Sequence, residues 1–211
     1  MSSTSSPDAS SGPPNAGAAQ RYRGITARDI ALIAVFAAII AVLSMPFAIP
    51  VGPVPITLQT LGVMLAPSVL GAKRGTLAVL VFLALAMAGL PLLAGGRGGL
   101  APFLGVTAGY LYGFVLGALV IGLIVDRMVK YRMTWGILAN LLGGILVVYL
   151  VGVPWMAVVT GDALLSAVVS AGAFLPGDLA KAVAAAAIAA GVHRAYPVPP
   201  AGRPVPEVNR Q

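Results

Sequence analysis

Long apolar runs almost free of charge restrict this chain more than any other feature. Residues 75–93, 103–125 and 135–153 contain no Asp, Glu, Lys or Arg. A helix rising 1.5 Å per residue needs about 20 mostly apolar residues to cross the hydrocarbon of a bilayer. Six segments meet or approach that length: 29–45, 57–70, 75–93, 103–125, 135–153 and 175–192. The second is short and holds Pro67. Composition agrees, since 59% of the 211 residues are hydrophobic and only 9% charged, against about 25% charged in an ordinary soluble domain. Six acids and thirteen bases cannot cover the surface that a water-soluble fold of this length exposes. A soluble globule is excluded.

The ends differ from the middle. Residues 1–22 are rich in Ser, Pro, Gly and Ala, with Asp8 the single acid and no apolar periodicity. That composition predicts a disordered tail, and it lacks the apolar core of a secretory signal. Residues 196–211 carry five prolines and read as a second disordered tail. One membrane domain, 23–195, lies between them. Nine bases flank its spans on one side: Arg21, Arg23, Arg28, Lys73, Arg74, Arg127, Lys130, Arg132 and Arg194. The opposite loops, 46–56, 94–102 and 154–174, hold only Arg97. Cytoplasmic loops are the Lys- and Arg-rich ones, so the expected architecture is an all-α, six-transmembrane-helix bundle with both termini cytoplasmic. The stretch 154–173, broken by Thr160, Gly161, Asp162 and Ser166, reads as re-entrant or interfacial. The pI of 10.3 reflects this orientation rather than nucleic-acid binding, because the bases are scattered between apolar blocks.

Little chemistry is available to an enzyme. The chain has no cysteine, which removes disulfides, zinc–thiolate sites and thiol nucleophiles, and no metal site is expected. His193, the single histidine, sits beside Arg194 at the cytoplasmic end and reads as a headgroup contact. No Walker motif is present, so ATP is not hydrolysed in that way.

Against this background a few polar residues stand out. Ionisable groups at membrane depth cost at least about 2.5–3.5 kcal/mol each on insertion scales. Asp178 and Lys181 are such a pair, in the run Phe-Leu-Pro-Gly-Asp-Leu-Ala-Lys at 174–181. Pro176 suits a first helical turn, Asp178 falls in that turn, and Lys181 follows three residues on along the same face. Either the pair ties the sixth helix to its neighbours, or it meets a polar ligand arriving from outside. Arg97 lies among four glycines at 95–99, and the N–H groups of residues such as Gly96 and Gly98 can cradle an anion; the alternative is a flexible connector. Further polar candidates are Thr57, Gln59 and Thr60 at the start of the second span, Thr107, Tyr110 and Tyr112 in the fourth, and Asn140 and Tyr149 in the fifth. Trp135 and Trp155 fit interfacial belts. In the first span Ala34/Ala38 and Ala37/Ala41 form small-x-x-x-small pairs that let another helix approach closely.

Five of these features occur together and in one order. They are Val-Pro-Ile-Thr-Leu-Gln-Thr-Leu-Gly at 54–62, the glycine loop at 94–99, Gly-Val-Thr-Ala-Gly-Tyr at 105–110, Gly-Val-Pro-Trp at 152–155, and the 174–181 run. In this the chain resembles the BioY family, the biotin-capturing S components of energy-coupling-factor (ECF) vitamin transporters, over about residues 25–195. It departs from the family's frequent Gly-Pro-Thr-Gly-Gly-Tyr at 105–110. The resemblance implies a six-helix, multi-pass protein of a prokaryotic cell membrane that binds biotin near the outer face. It would pass the vitamin inward with a transmembrane coupling subunit and ATPase subunits. Biotin is then a ligand and no cofactor is implied; the lipid bilayer is the other partner, and a homo-oligomer is compatible with the sequence. The Ala-rich first helix resembles the docking surface for the coupling subunit. Asp178 and Lys181 would meet the ureido ring, Thr57, Gln59 and Tyr149 would complete the polar shell with Tyr110 and Thr107 nearby, and Arg97 with the glycine N–H groups would face the carboxylate. Alternatives are an S component for another small vitamin and, less favoured, an intramembrane enzyme using Asp178 and Asp162.

Overall fold

The structure, a computed structural model, describes the backbone of residues 25–45, 49–51 and 54–196 and the side chains of 25–45 and 57–196. Apart from Tyr196, the two expected disordered tails lie outside the described residues.

The first helix, α1 (Ala27–Ser44), begins at a capping box. The Asp29 N–H donates to Thr26 Oγ1 at 3.2 Å, and the Thr26 N–H donates to Asp29 Oδ2 at 2.9 Å. Two of the donors left unpaired at a helix start are thereby satisfied. A short antiparallel hairpin follows, β1 (Ile49–Val51) and β2 (Val54–Ile56), with Ile49 opposite Ile56. The remaining elements are helical: α2 (Gln59–Met87), α3 (Ala101–Leu104), α4 (Ala108–Asp126), α5 (Met133–Ala139), a π-helical stretch Asn140–Val147, α6 (Val148–Thr160), α7 (Leu164–Gly172) and α8 (Leu175–Ala195). Five stretches among the described residues are long and apolar enough to cross a membrane: Ala27–Ser44, Gln59–Met87, Ala108–Asp126, Met133–Thr160 and Leu175–Ala195.

The second and third expected spans both fall within α2, which breaks at Gly71 (φ 78°, ψ −174°). That left-handed φ is one that glycine adopts without penalty. A side chain at Gly75 would collide with the Pro67 backbone. Residues eight apart are about 12 Å apart along a continuous helix, so the chain folds back on itself at Gly71. The restarted helix leaves its first N–H groups without intrahelical partners. Asp126 Oδ2 accepts the Ala72 N–H at 3.0 Å, placing a carboxylate at the positive helix end. From the same corner Arg74 bridges Asp29 at 2.6 Å, and Arg28 donates to the Tyr196 hydroxyl at 2.7 Å. The start of α1, the corner of α2 and the ends of α4 and α8 therefore meet at one end of the bundle.

The interior is set by close backbone approach. Gly109, Gly113 and Gly117 line one face of α4 at four-residue spacing. A Cβ at Gly113 would lie 3.0 Å from Val148 Cα, and one at Gly117 would strike the Gly143 carbonyl. The stripe thus seats α4 directly on the π-helical stretch and α6, as small residues do between membrane helices. Asn140, fully buried, accepts from Ser68 Oγ at 2.9 Å and donates to the Ala182 carbonyl at 3.0 Å, joining α2, the π-helical stretch and α8.

In the stretch 154–173, expected to be re-entrant or interfacial, α6 continues through Pro154 to Thr160 and stops at the left-handed Gly161, after which α7 buries Ala167 and Ala171 and turns Leu164, Leu165, Val168 and Val169 outward. Two expectations change. The four alanines of α1 do not share one surface. Ala37 is buried and Ala41 half-buried in the bundle, while Ala34 and Ala38 are exposed. His193 is more than a headgroup contact: its Nε2 lies 3.0 Å from the Ser68 carbonyl and its ring stacks on Tyr131 at 4.7 Å.

Gly75→Leu tests the fold-back in α2. Overpacking costs about 1–3 kcal/mol, which in a chain of this size lowers Tm by about 3–10 °C. Thermal unfolding in detergent measures this, and an unchanged Tm would show that the two halves of α2 do not pack this closely.

Candidate functional site

Opposite the end where Arg28 meets Tyr196, four helices bring polar side chains to one cavity. The residue at its centre is Asp178, in the first turn of α8, with its side chain 6% exposed. Lys181 Nζ lies 2.9 Å from Asp178 Oδ1, and Thr60 of α2 donates to the same oxygen at 3.1 Å. From α6, the Tyr149 hydroxyl donates to Asp178 Oδ2 at 2.6 Å. Tyr110 of α4 stands edge-on to Tyr149, ring centroids 6.2 Å apart. Burying two charges is expensive unless their remaining hydrogen-bonding positions are filled, and here two hydroxyls fill them.

Several polar atoms of the cluster keep hydrogen-bonding capacity beyond these contacts. A carboxylate offers about four acceptor positions and an ammonium three donors. Among the described residues Asp178 accepts three bonds, two on Oδ1 and one on Oδ2, so one position on Oδ2 remains, and Lys181 uses one donor and keeps two. Gln59 Nε2 and the Tyr110 hydroxyl are buried and have no hydrogen-bond partner among the described residues. Buried polar atoms are almost always paired, so this set suits a small molecule carrying both N–H donors and a carbonyl.

The cavity is partly open to the outside. Eight expected site residues line it together: Thr57, Gln59, Arg97, Thr107, Tyr110, Tyr149, Asp178 and Lys181. Thr60, which holds the carboxylate, lines it too. The apolar wall is Leu93, Ala94, Leu111, Phe114, Val148 and Phe174; of these only Ala94 and Phe174 fall in motifs marked in the sequence, the 94–99 loop and the 174–181 run. A signal existed for part of it. Thr107, Tyr110, Leu111 and Phe114 recur at i, i+3, i+4 and i+7, one helical face.

The glycine loop behaves differently from expectation. It is knotted by its own backbone: Leu93 and Arg97 exchange bonds of 2.9 and 3.2 Å, and the Gly99 N–H donates to the Ala86 carbonyl at 2.8 Å. Gly96 lies outside the cavity lining and its N–H donates to the Leu93 carbonyl at 2.9 Å, so the tight turn, not an anion, occupies that donor. Gly98 lines a second hollow with Arg97, Ala101, Pro102, Gly105, Val106 and Thr107. Arg97 itself is exposed, and its Nε donates to the Ala94 carbonyl at 3.0 Å. Asp162 is exposed and lines neither hollow, so it gives Asp178 no second carboxylate.

A sequence model of the BioY family matches residues 16–198. The chain belongs to the BioY family. Among its relatives, a protein of Rhizobium etli named biotin transporter BioY is 45% identical over 185 residues, covering 84% of this chain and 99% of that protein. A biotin transporter BioY of Rhodobacter capsulatus is 48% identical over 174 residues, covering 77% of this chain and 91% of the relative. The crystal structure of the S-component for biotin from an ECF-type ABC transporter superposes with a TM-score of 0.76 at 35% identity, covering 79% of this chain and 91% of that one. BioY proteins are transporters rather than enzymes, and this chain is a multi-pass membrane protein.

Removing one partner of a buried pair strands the other, at about 3–5 kcal/mol, whereas replacing both with apolar groups is far cheaper. Lys181→Met should therefore lower Tm in detergent more than the double variant Asp178→Leu/Lys181→Met does. A double variant at least as unstable as the single one would contradict this account of the pair.

Proposed function

We propose that this chain captures biotin at the outer face of a prokaryotic cell membrane and passes it inward with an ECF coupling subunit and ATPase subunits. The observation that carries this reading is the Asp178–Lys181 cluster with its unfilled positions. Biotin's ureido ring presents two N–H donors and one carbonyl. An N–H meets the remaining position on Asp178 Oδ2, and the carbonyl accepts from Lys181 Nζ, with Gln59 Nε2 and the Tyr110 hydroxyl within the same lining. The thiophane ring and valeryl chain lie against Leu93, Leu111 and Phe114, and the carboxylate faces Arg97.

Topology supports the same reading. Counted from the Arg28–Tyr196 end to the Asp178 end, α1, the two arms of α2, α4, the α5–α6 helix and α8 would make six crossings, with the start of α1 and the end of α8 at the same, basic end. Lys73, Arg74, Arg127 and Arg194 stand at that end, which the positive-inside bias assigns to the cytoplasm. Ala34 and Ala38, exposed on α1, offer the small-residue surface for the coupling subunit.

Equilibrium binding of labelled biotin to the purified protein tests the proposal. The wild type should bind saturably. Asp178→Asn removes a charged acceptor worth about 1.5–3 kcal/mol, so affinity should fall about tenfold or more. Saturable binding left unchanged in a folded Asp178→Asn protein would remove the cluster from the site, and no binding by the wild type would reject biotin as the ligand.

A further inference from the structure

Beyond free biotin, we infer that the site accepts biotin joined through its carboxyl group to an amine, the biotinyl-amide class exemplified by biotinyl-lysine. The inference rests on the biotin reading above and extends it to the far side of Arg97. Two hollows meet at this residue. The inner one is the cavity around Asp178, and the outer one is lined by Gly98, Ala101, Pro102, Gly105 and Val106; Arg97 and Thr107 belong to both. Each is partly open to the outside. A ligand whose carboxyl end reaches Arg97 from within is therefore aimed at a second space, not at a wall.

The outer hollow suits a chain extended through an amide. Apart from Arg97 its lining holds no charged side chain, and most of it is small. Its floor is fastened in place: the Trp155 indole N–H donates to the Gly105 carbonyl at 3.0 Å, and the Tyr112 hydroxyl donates to the Phe103 carbonyl at 2.7 Å. The space is built into the fold and does not have to open around the ligand. Converting the carboxylate to an amide removes a charge but keeps a carbonyl oxygen that Arg97 can donate to. Because Arg97 is exposed, the lost ion pair is a solvent-screened one, and its removal should weaken binding only about fivefold or less.

Competition against labelled biotin measures this on the purified protein, with biotinyl-lysine as the probe. The wild type should bind biotinyl-lysine within about tenfold of biotin. Ala101→Trp, which fills the outer hollow without touching the inner cavity, should leave biotin binding unchanged and weaken biotinyl-lysine more than tenfold. Val106→Trp provides a second block from the neighbouring wall. Arg97→Ala should weaken biotin about fivefold or less and biotinyl-lysine by less than that. Biotin binding with biotinyl-lysine weaker by about a hundredfold or more would overturn the inference and leave the biotin reading standing. Equal losses for both ligands in both Trp variants would also overturn it. Failure of the wild type to bind labelled biotin would instead overturn the reading beneath it.

Discussion

A carboxylate and an ammonium set 2.9 Å apart inside an apolar bundle are stable only if the surrounding helices supply the hydrogen bonds that water would have given. Thr60 from α2 and Tyr149 from α6 do so for Asp178 on α8, and Tyr110 on α4 packs edge-on against Tyr149. Four helices are thereby held to one register at one end of the molecule. The same arrangement stops short of full satisfaction: one carboxylate position, two ammonium donors, a glutamine amide and a tyrosine hydroxyl remain for a guest. A purely structural pair would close on itself; this one is left open toward a cavity.

What lets those helices converge is the absence of side chains elsewhere. The Gly109, Gly113 and Gly117 stripe brings α4 against the backbone of its neighbour, and the Gly71 corner brings the two arms of α2 into contact through Gly75 and Pro67. At the opposite end Asp126 caps the restarted arm, while the Asp29–Arg74 bridge and the Arg28–Tyr196 bond gather the chain ends. The two ends thus have different chemistry. One gathers basic residues, the largely buried Asp29–Arg74 bridge and the exposed Arg28–Tyr196 bond, and the other is a shielded polar cluster suited to a ligand.

Much of this was legible in the sequence, for a definable reason. In a chain this apolar, each charged residue within a span is conspicuous, so Asp178 and Lys181 announce themselves by cost alone, and Arg97 as the single base of the opposite loops. The helical spans were legible from length and hydropathy, and so was the reversal between 57–70 and 75–93; what was not legible is that the left-handed Gly71 makes that reversal without an intervening loop. The cavity's aliphatic wall was hidden because Leu93 or Val148 has the same composition as a lipid-facing neighbour, and only spacing distinguishes the α4 face. The π-helical stretch left no mark, since a change of backbone register changes no residue type. Gly96 misled because glycine N–H groups that look free in a sequence are often consumed by the turn that glycine makes possible.

The central claim is that the buried pair faces a ligand rather than only holding helices together. A crystal structure of this chain with biotin bound tests it most directly. The account predicts the ureido ring within hydrogen-bond distance of both Asp178 and Lys181, with the valeryl carboxylate directed at Arg97. Biotin seated elsewhere, with the Asp178 cluster closed and untouched, would contradict it.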